Sequence, residues 1–145
     1  MLGGCLCGAV RFAYEGPLGG ELGLVTLCRC GQCRKAQGYG AAAAQALASA
    51  FTVTAGAEEI REYESSPGKK RAFCGVCGSP LYSRRDSAPD AMRLRLGALD
   101  DPPDGLRIEA LIYTEGLPAW VEIDDVPRFA AEEPGRGLAP GQAKV

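Results

Sequence analysis

Cysteine is the residue type with the clearest chemical potential in this chain of 145 residues, which contains seven cysteines and no histidine. The cysteines lie in three short groups, and each group could bring its sulfur atoms onto one metal ion. These groups are Cys5-x-Cys7, Cys28-x-Cys30-x-x-Cys33 and Cys74-x-x-Cys77. Zinc in proteins is usually held by four sulfur or nitrogen ligands in a tetrahedron, and no imidazole nitrogen is available here. The spacing therefore predicts zinc binding by thiolates.

The number of ligands that zinc accepts nearly forces one division of the cysteines. If each group stays on one metal and no metal takes more than four protein ligands, the outer two groups combine and the central group stands alone. The four-cysteine set is then Cys5, Cys7, Cys74 and Cys77, and the three-cysteine set is Cys28, Cys30 and Cys33. Closed four-ligand sites are usually structural, whereas three protein ligands with an open position are typical of catalytic sites. We expect two zinc ions per chain, one structural and one catalytic.

Two other uses of the cysteines are less consistent with the sequence. A disulfide framework would leave one cysteine unpaired, and no positively charged, apolar leader indicates secretion, so we expect a cytoplasmic protein. A redox dithiol usually occurs as one C-x-x-C motif beside a βαβ pattern, not as three clustered groups. Metal binding is the favoured interpretation.

Composition narrows the classes of partner. The net charge of -2 and the pI near 5.2 argue against a nucleic-acid-binding surface, which needs clustered Lys and Arg. No apolar run approaches the roughly 20 residues that span a bilayer, so no membrane helix is expected. Residues 1–132 have the length and patterning of one domain. Residues 133–145 are rich in Gly, Pro and charge, which predicts a flexible C-terminal tail.

The elements that must position the cysteines are predicted to be short β-strands. Alternation of apolar and polar residues, with turn residues between the segments, indicates about eight strands. The candidates are 10–15, 51–54, 59–64, 69–73, 81–83, 92–96, 107–113 and 121–123. A hairpin across 55–57 would pair the second candidate with the third. Ala41–Ala50 favours helix by propensity, but its flanking glycines favour strand, which we prefer. The predicted fold class is mainly β, with antiparallel sheets.

Residues near the three-cysteine set could contact a substrate. Arg29, Arg34 and Lys35 could offset the negative charge of the thiolates or receive carboxylates, or they could be ordinary solvated cations. Tyr39 could contact substrate or pack against the protein. Trp120 could wall a pocket, although a single tryptophan in a small β domain is more often in the core.

Several motifs occur together in one known family. They are Gly4-Cys5-Leu6-Cys7-Gly8-Ala9-Val10, the central cysteine group with Arg34-Lys35, Phe73-Cys74-x-x-Cys77-Gly78-Ser79-Pro80, Gly97-Ala98-Leu99-Asp100-Asp101-Pro102 and Pro118-Ala119-Trp120. With these motifs in this order, the chain resembles the glutathione-dependent formaldehyde-activating enzyme family, which is also described with centromere protein V. The resemblance extends from about Gly3 to Glu132.

This resemblance implies a β-tent fold, in which antiparallel sheets are joined at a structural zinc, and a carbon–sulfur lyase activity. The activity joins a thiol, glutathione or a similar molecule, to formaldehyde or another small aldehyde, or reverses that addition. The resemblance also implies that the four-cysteine set holds the structural zinc and that the three-cysteine set holds a second zinc near the thiol. The family often has histidine where this chain has Arg29 and Arg107, and its segment corresponding to 114–117 also differs.

Two functional hypotheses from different classes remain at this point. One is the zinc-dependent lyase, and the other is a non-catalytic zinc-binding module or small-thiol-binding protein. Because the chain has no histidine, proton transfer in the enzyme would have to use water, a carboxylate or a thiolate. The sequence assigns neither that group nor the assembly state, and a homo-oligomer stays open.

Overall fold

The computed structural model describes residues 1–115 and 117–121, and within them the chain forms ten strands and one α-helix. The strands are β1 Leu2–Gly4, β2 Arg11–Tyr14, β3 Thr26–Cys28, β4 Ala41–Leu47, β5 Phe51–Ala55, β6 Ile60–Ser66, β7 Lys69–Cys74, β8 Pro80–Arg85, β9 Ala88–Arg95 and β10 Ala110–Ile112; the helix α1 is Gly31–Gln37. In this part of the chain, no helix has the length and apolar character needed to cross a membrane.

The strands form two sheets. A three-stranded sheet has the order β1-β2-β5, and a seven-stranded sheet has the order β10-β3-β4-β9-β8-β7-β6. Neighbouring strands are antiparallel except for β10 and β3, which run parallel. The predicted mainly β class is confirmed, and the parallel pair is an addition that alternation alone does not reveal.

The core lies where the two sheets face each other. On β2, Phe12 and Tyr14 alternate with more exposed residues and are almost fully buried, as a period of two requires. The ring of Phe51 on β5 lies 4.8 Å from that of Phe12 and 5.3 Å from that of Tyr82 on β8. Aromatic contacts therefore connect the small sheet to the large one. Leu81 adds a fully buried aliphatic side chain to the same cluster.

The predicted hairpin between 51–54 and 59–64 is wrong, although both strands exist. β5 pairs with β2 in the small sheet, whereas β6 pairs with β7 in the large sheet. Gly56 lies between them at φ 69°, and a Cβ placed there would lie 1.9 Å from the carbonyl oxygen of Ala9. This left-handed residue, packed directly against the chain after β1, turns the backbone from one sheet to the other.

The alanine-rich segment forms a strand, as we preferred, over Ala41–Leu47, and Ala48–Ala50 forms a 3₁₀ turn. Four alanines of this strand are buried, and they lie on its two opposite faces. Ala41 and Ala43 line a cavity, while Ala46 belongs to the hydrophobic core. A strand covered on both faces needs apolar residues throughout, and small ones leave room for the cavity. Tertiary packing therefore overrides helix propensity here.

The remaining differences concern α1 and the end of the chain. The helix was not predicted. It ends at Gly38, whose φ is 82° and whose N–H bonds to the carbonyl oxygen of Arg34 at 2.7 Å. Of the strand candidate 107–113, only Ala110–Ile112 forms a strand. The first residue of the strand candidate 121–123, Val121, lies in the 3₁₀ turn Ala119–Val121, so the strand prediction is wrong for this residue. The other two residues of that candidate and the predicted tail at 133–145 lie outside the described residues.

Candidate metal centres and active site

The sulfur atoms of the four-cysteine set lie together at distances suited to one metal ion. All four are within 4.8 Å of one another, with 3.5 Å between Cys5 and Cys7 and 3.9 Å between Cys7 and Cys74. Tetrahedral zinc with bonds of about 2.3 Å separates its sulfur ligands by about 3.8 Å. A disulfide needs about 2.05 Å between sulfur atoms, and all seven cysteines are free. The set therefore fits a closed tetrahedral metal site.

Backbone and hydroxyl hydrogen bonds hold this set in place. The N–H of Val10 donates to the Sγ of Cys5 at 3.2 Å, and the N–H of Leu6 donates to the Oγ of Ser79 at 3.0 Å. The Ser79 hydroxyl lies 3.2 Å from the Sγ of Cys77, and this contact lowers the pKa of the Cys77 thiol to about 5. Because Cys5 follows β1 and Cys77 lies between β7 and β8, the set joins the small sheet to the large one.

The three-cysteine set is assembled at the other side of the large sheet. Cys28 ends β3, Cys30 is the residue before α1, and Cys33 is buried in the first turn of that helix. Their sulfur atoms also lie within 4.8 Å of one another. Three thiols at this spacing match one face of a zinc tetrahedron, and no fourth Cys, Asp or Glu ligand joins them among the described residues.

The surroundings of the three thiols make a shared cation favourable. Burial opposes ionisation of Cys30, but hydrogen bonds from the backbone N–H groups of Cys33 and Gln32 lower the pKa of its thiol. Burial raises the pKa of Cys28 to about 12, and the neighbouring thiols add to that increase. Ionisation of one thiol therefore raises the free energy needed to ionise the next, and a metal dication would offset this repulsion between the thiolates.

A cavity of about 330 Å³ opens beside the three-cysteine set, within the size range of small-molecule sites. All three of these cysteines line it, and within the described part of the chain no Asp or Glu does. Five cationic side chains line it as well: Lys69, Arg71, Arg85, Arg93 and Arg95.

These cations face the cavity because they occupy alternate positions on three adjacent strands. Lys69 and Arg71 lie two residues apart on β7, and Arg93 and Arg95 lie two apart on β9. Lys69 is opposite Arg85 of β8 in the strand register. Side chains two residues apart on a strand share one face of the sheet. The intervening residues have other partners: Lys70 pairs with an acid at 3.0 Å, and Arg84 with another at 2.6 Å.

Two of the five cations are fixed by neutral partners. Arg71 donates from Nε to the Ser65 hydroxyl at 2.9 Å and approaches the Sγ of Cys33 with Nη1 at 3.7 Å. Arg93 donates from Nη2 to the Thr26 hydroxyl at 2.6 Å and to the carbonyl oxygen of Ala43 at 2.9 Å. Neutral partners orient these guanidinium groups without cancelling their charge.

Arg95 and Lys69 have unusual environments. Arg95 is only 5% exposed, its Nε has no hydrogen-bond partner, and burial lowers its pKa to about 10, so it stays charged at neutral pH. Burial, with the nearby charge of Arg85 next in importance, lowers the pKa of Lys69 to about 8. The ion pairs found in the described ranges involve neither side chain.

The residues that we expected to contact substrate, because they are close in sequence to the three cysteines, lie around α1 and do not line this cavity. The Arg29 guanidinium lies over the Tyr39 ring at 5.1 Å, and the Tyr39 hydroxyl donates to the carbonyl oxygen of Val121 at 3.1 Å. Arg34 donates to the carbonyl oxygen of Arg29 at 2.6 Å, and Lys35 is exposed. None of these predicted residues is part of the cavity lining.

Trp120 is 59% exposed, so the interpretation of this residue as part of the core is wrong. It does not line the cavity beside the three-cysteine set either. Trp120 is the middle residue of the short 3₁₀ turn Ala119–Val121, in which Val121 is the buried residue.

A larger cavity, of about 660 Å³, lies beside the four-cysteine set. Cys5 is the one cysteine in its lining, and its wall includes Arg11 and Asp100, which form an ion pair with each other. A set that already supplies four ligands has no vacant position for substrate. The smaller cavity is therefore the candidate active site.

Comparison with known proteins places the chain in a known family. The family described as glutathione-dependent formaldehyde-activating enzyme matches residues 1–116. A Halomonas elongata protein named "Putative glutathione-dependent formaldehyde-activating enzyme" is 32% identical over 156 aligned positions, covering 99% of this chain and 94% of that protein.

A crystal structure of a Rhodobacter sphaeroides protein is similar in fold, with a TM-score of 0.59 and 30% identity, over 72% of this chain and 92% of that one. The family match covers most of the chain, and the Halomonas relative matches almost all of it. The chain belongs to the glutathione-dependent formaldehyde-activating enzyme family.

Proposed function

We propose that this chain is a zinc-dependent carbon–sulfur lyase that adds a thiol to formaldehyde or another small aldehyde and also catalyses the reverse reaction. The observation that carries the proposal is that the three-cysteine set, which has no fourth protein ligand in the described ranges, lines a cavity of ligand size. Family membership and the name of the Halomonas relative support the choice of reaction.

Cys28, Cys30 and Cys33 would hold the catalytic zinc, because three thiols within 4.8 Å of one another suit its preference for sulfur ligands. Zinc bound there would supply a Lewis acid that favours the ionised form of a thiol in the open position. Arg71 approaches the Sγ of Cys33 and moderates the negative charge on that ligand. The four-cysteine set would hold a structural zinc and take no part in the reaction.

The addition needs no further reactant. The thiol loses its proton, a carbon–sulfur bond forms at the aldehyde carbon, and the π electrons of the carbonyl move to its oxygen. That oxygen takes up one proton, so the product is a hydroxymethyl thioether and every atom of the two substrates is retained.

Lys69 is the proposed proton carrier for this step. It lines the same cavity as the three thiols and has no carboxylate partner among the described residues. With a pKa of about 8, it can give a proton to the new hydroxyl and take one back in the reverse direction near neutral pH. This role assigns the proton transfer to a lysine, whereas the sequence alone suggested water, a carboxylate or a thiolate in a chain without histidine.

The test is an exchange measurement at equilibrium, because thiols and formaldehyde also combine without a catalyst. Exchange NMR on mixtures of glutathione and formaldehyde would give the rate of interconversion with zinc-loaded protein. We expect acceleration by the wild-type chain and none by Cys30→Ser, with unchanged circular dichroism. Full acceleration by Cys30→Ser would refute the open-site mechanism. A zinc-loaded wild-type chain that accelerates nothing would be a non-catalytic zinc-binding module instead.

A matched pair of lysines tests the proton carrier. In the reverse direction the neutral amine of Lys69 must accept the hydroxyl proton, so the rate should rise as pH passes through about 8. Lys69→Gln should lose that rise. Lys70→Gln is the control, because Lys70 points away from the cavity and pairs with Asp86. The same pH profile in both variants would exclude Lys69 as the carrier.

A further inference from the structure

The cavity beside the three-cysteine set carries more positive charge than a bound zinc ion and its ligands can balance. Five cationic side chains line it, and no carboxylate belongs to the lining that residues 1–115 and 117–121 form. Three thiolates with one zinc dication leave a single formal negative charge. Several positive charges therefore remain for another molecule to neutralise.

Arg95 shows that this excess is not merely surface charge. The residue is 95% buried, since only 5% is exposed, and its Nε has no hydrogen-bond partner among the described residues. Leaving a buried guanidinium without a full set of acceptors is costly, and such groups are normally paired. Arg93 of the same strand is held by the Thr26 hydroxyl and a backbone carbonyl, which leave its charge uncompensated. Both observations point to an anionic ligand that accepts hydrogen bonds here.

We propose that the cavity selects thiols whose remainder carries at least two negative charges and no ammonium group. The sulfur would occupy the open position of the three-cysteine set, so this part of the inference rests on the proposed function. The anionic groups, carboxylates or a phosphate, would lie among Lys69, Arg71, Arg93 and Arg95. Guanidinium groups bind both kinds of anion through paired N–H donors.

Exclusion of an ammonium group follows from the same lining. Glutathione carries two carboxylates and one ammonium, and among the described residues that line this cavity the ammonium would find no carboxylate. It would instead meet like charges at short range, which weakens binding in a partly desolvated site. A thiol with the same carboxylates and a neutral amide in place of the ammonium is the better match.

Two pairs of thiols test this selectivity with binding as the readout. The first pair is glutathione and N-acetylglutathione, which differ in the ammonium charge, and the second is pantetheine and 4′-phosphopantetheine, which differ in the phosphate. Calorimetric titration into the zinc-loaded chain at low ionic strength, without formaldehyde, would give each Kd. We expect the more anionic member of each pair to bind at least about tenfold more tightly, with a difference that shrinks in high salt.

The strand register offers matched variants. Lys69 and Arg85 are cross-strand partners that line the cavity, and Lys70 and Arg84 are cross-strand partners on the opposite face. The double variants Lys69→Gln with Arg85→Gln and Lys70→Gln with Arg84→Gln remove the same net charge from the same two strands. The first should lose about tenfold or more in affinity for N-acetylglutathione or phosphopantetheine, and the second should retain it.

The outcomes separate this inference from the proposed function. A preference for both anionic thiols that disappears only in the cavity variant supports the inference, even if the chain turns over no aldehyde adduct. A preference for 4′-phosphopantetheine alone overturns the exclusion of the ammonium group, whereas a preference for N-acetylglutathione alone supports that exclusion and overturns recognition of phosphate. Equal binding within both pairs, or equal losses in both double variants, overturns the inference even if the chain is an active lyase.

Discussion

Replacing Cys74 by serine should abolish stable folding, because it removes one ligand from a metal site that joins the two sheets. Cys74 has no exposed surface and belongs to the hydrophobic core beside Phe12 and Leu81. A structural zinc contributes on the order of 10 kcal/mol of apparent folding free energy. Most domains are stable by only about 5–15 kcal/mol in total. Loss of this ion therefore removes most or all of the free energy of unfolding.

Urea denaturation followed by circular dichroism, with and without a zinc chelator, measures this effect. We expect wild-type protein to unfold cooperatively and to lose most of its stability with chelator, whereas Cys74→Ser should lack a folded baseline even with zinc present. Cys30→Ser is the control, since it alters the three-cysteine set and should keep a midpoint close to that of wild type. If Cys74→Ser unfolded at the wild-type midpoint, the four-cysteine set would not be the structural site.

Three further predictions concern stability. Between about pH 8 and 10.5 the unfolded chain keeps a proton on Lys69 that the folded chain has released, so the contribution of Lys69 to the free energy of unfolding should rise with pH across that window. The urea midpoints of Lys69→Met should lack this rise. Leu81→Ala should cost about 2–5 kcal/mol of unfolding free energy because Leu81 is fully buried, whereas Leu6→Ala, at a side chain 90% exposed, should change the urea midpoint little. Gly56→Ala should lower the melting temperature, because Gly56 has a positive φ and the added Cβ would lie 1.9 Å from the carbonyl oxygen of Ala9. Gly97→Ala is the control, since a Cβ there meets open space, and equal melting temperatures of the two variants would contradict this reason.

The parts of the structure that depend on local pattern could be predicted from the sequence. Alternation on 10–15 gave β2 with Phe12 and Tyr14 inward, because the side-chain period of a strand is fixed by its backbone geometry. The grouping of the cysteines followed from ligand number alone. The structure brings the sulfur atoms of each predicted set within 4.8 Å of one another.

The parts that depend on distant contacts could not be predicted in the same way. Gly56 reads as an ordinary hairpin residue until its packing against Ala9 is known, and that contact sends β6 to the other sheet. The alternation of Lys69 with Arg71, and of Arg93 with Arg95, is visible in the sequence. That these cations line one cavity becomes clear only when the sheet order and register place both strands beside the three-cysteine set.

Proximity in sequence to the three cysteines did not identify the side chains that line the cavity beside them. Arg29, Arg34 and Lys35 are neighbours of the three cysteines along the chain, but none of them lines the cavity. Arg29, which precedes α1, stacks on Tyr39, while Arg34 and Lys35 lie on the helix outside the cavity. Cations from distant strands line it instead. An i, i+2 pattern of basic residues on predicted strands was the available signal, and it requires knowledge of which strands are adjacent.

The number of zinc ions per chain, measured together with the number of alkylatable cysteines in the native protein, tests the central claim most directly. The division into a closed four-cysteine set and an open three-cysteine set predicts two zinc ions per chain in wild type and one in Cys30→Ser. One zinc ion in wild-type protein, with Cys28, Cys30 and Cys33 freely reactive, would contradict it.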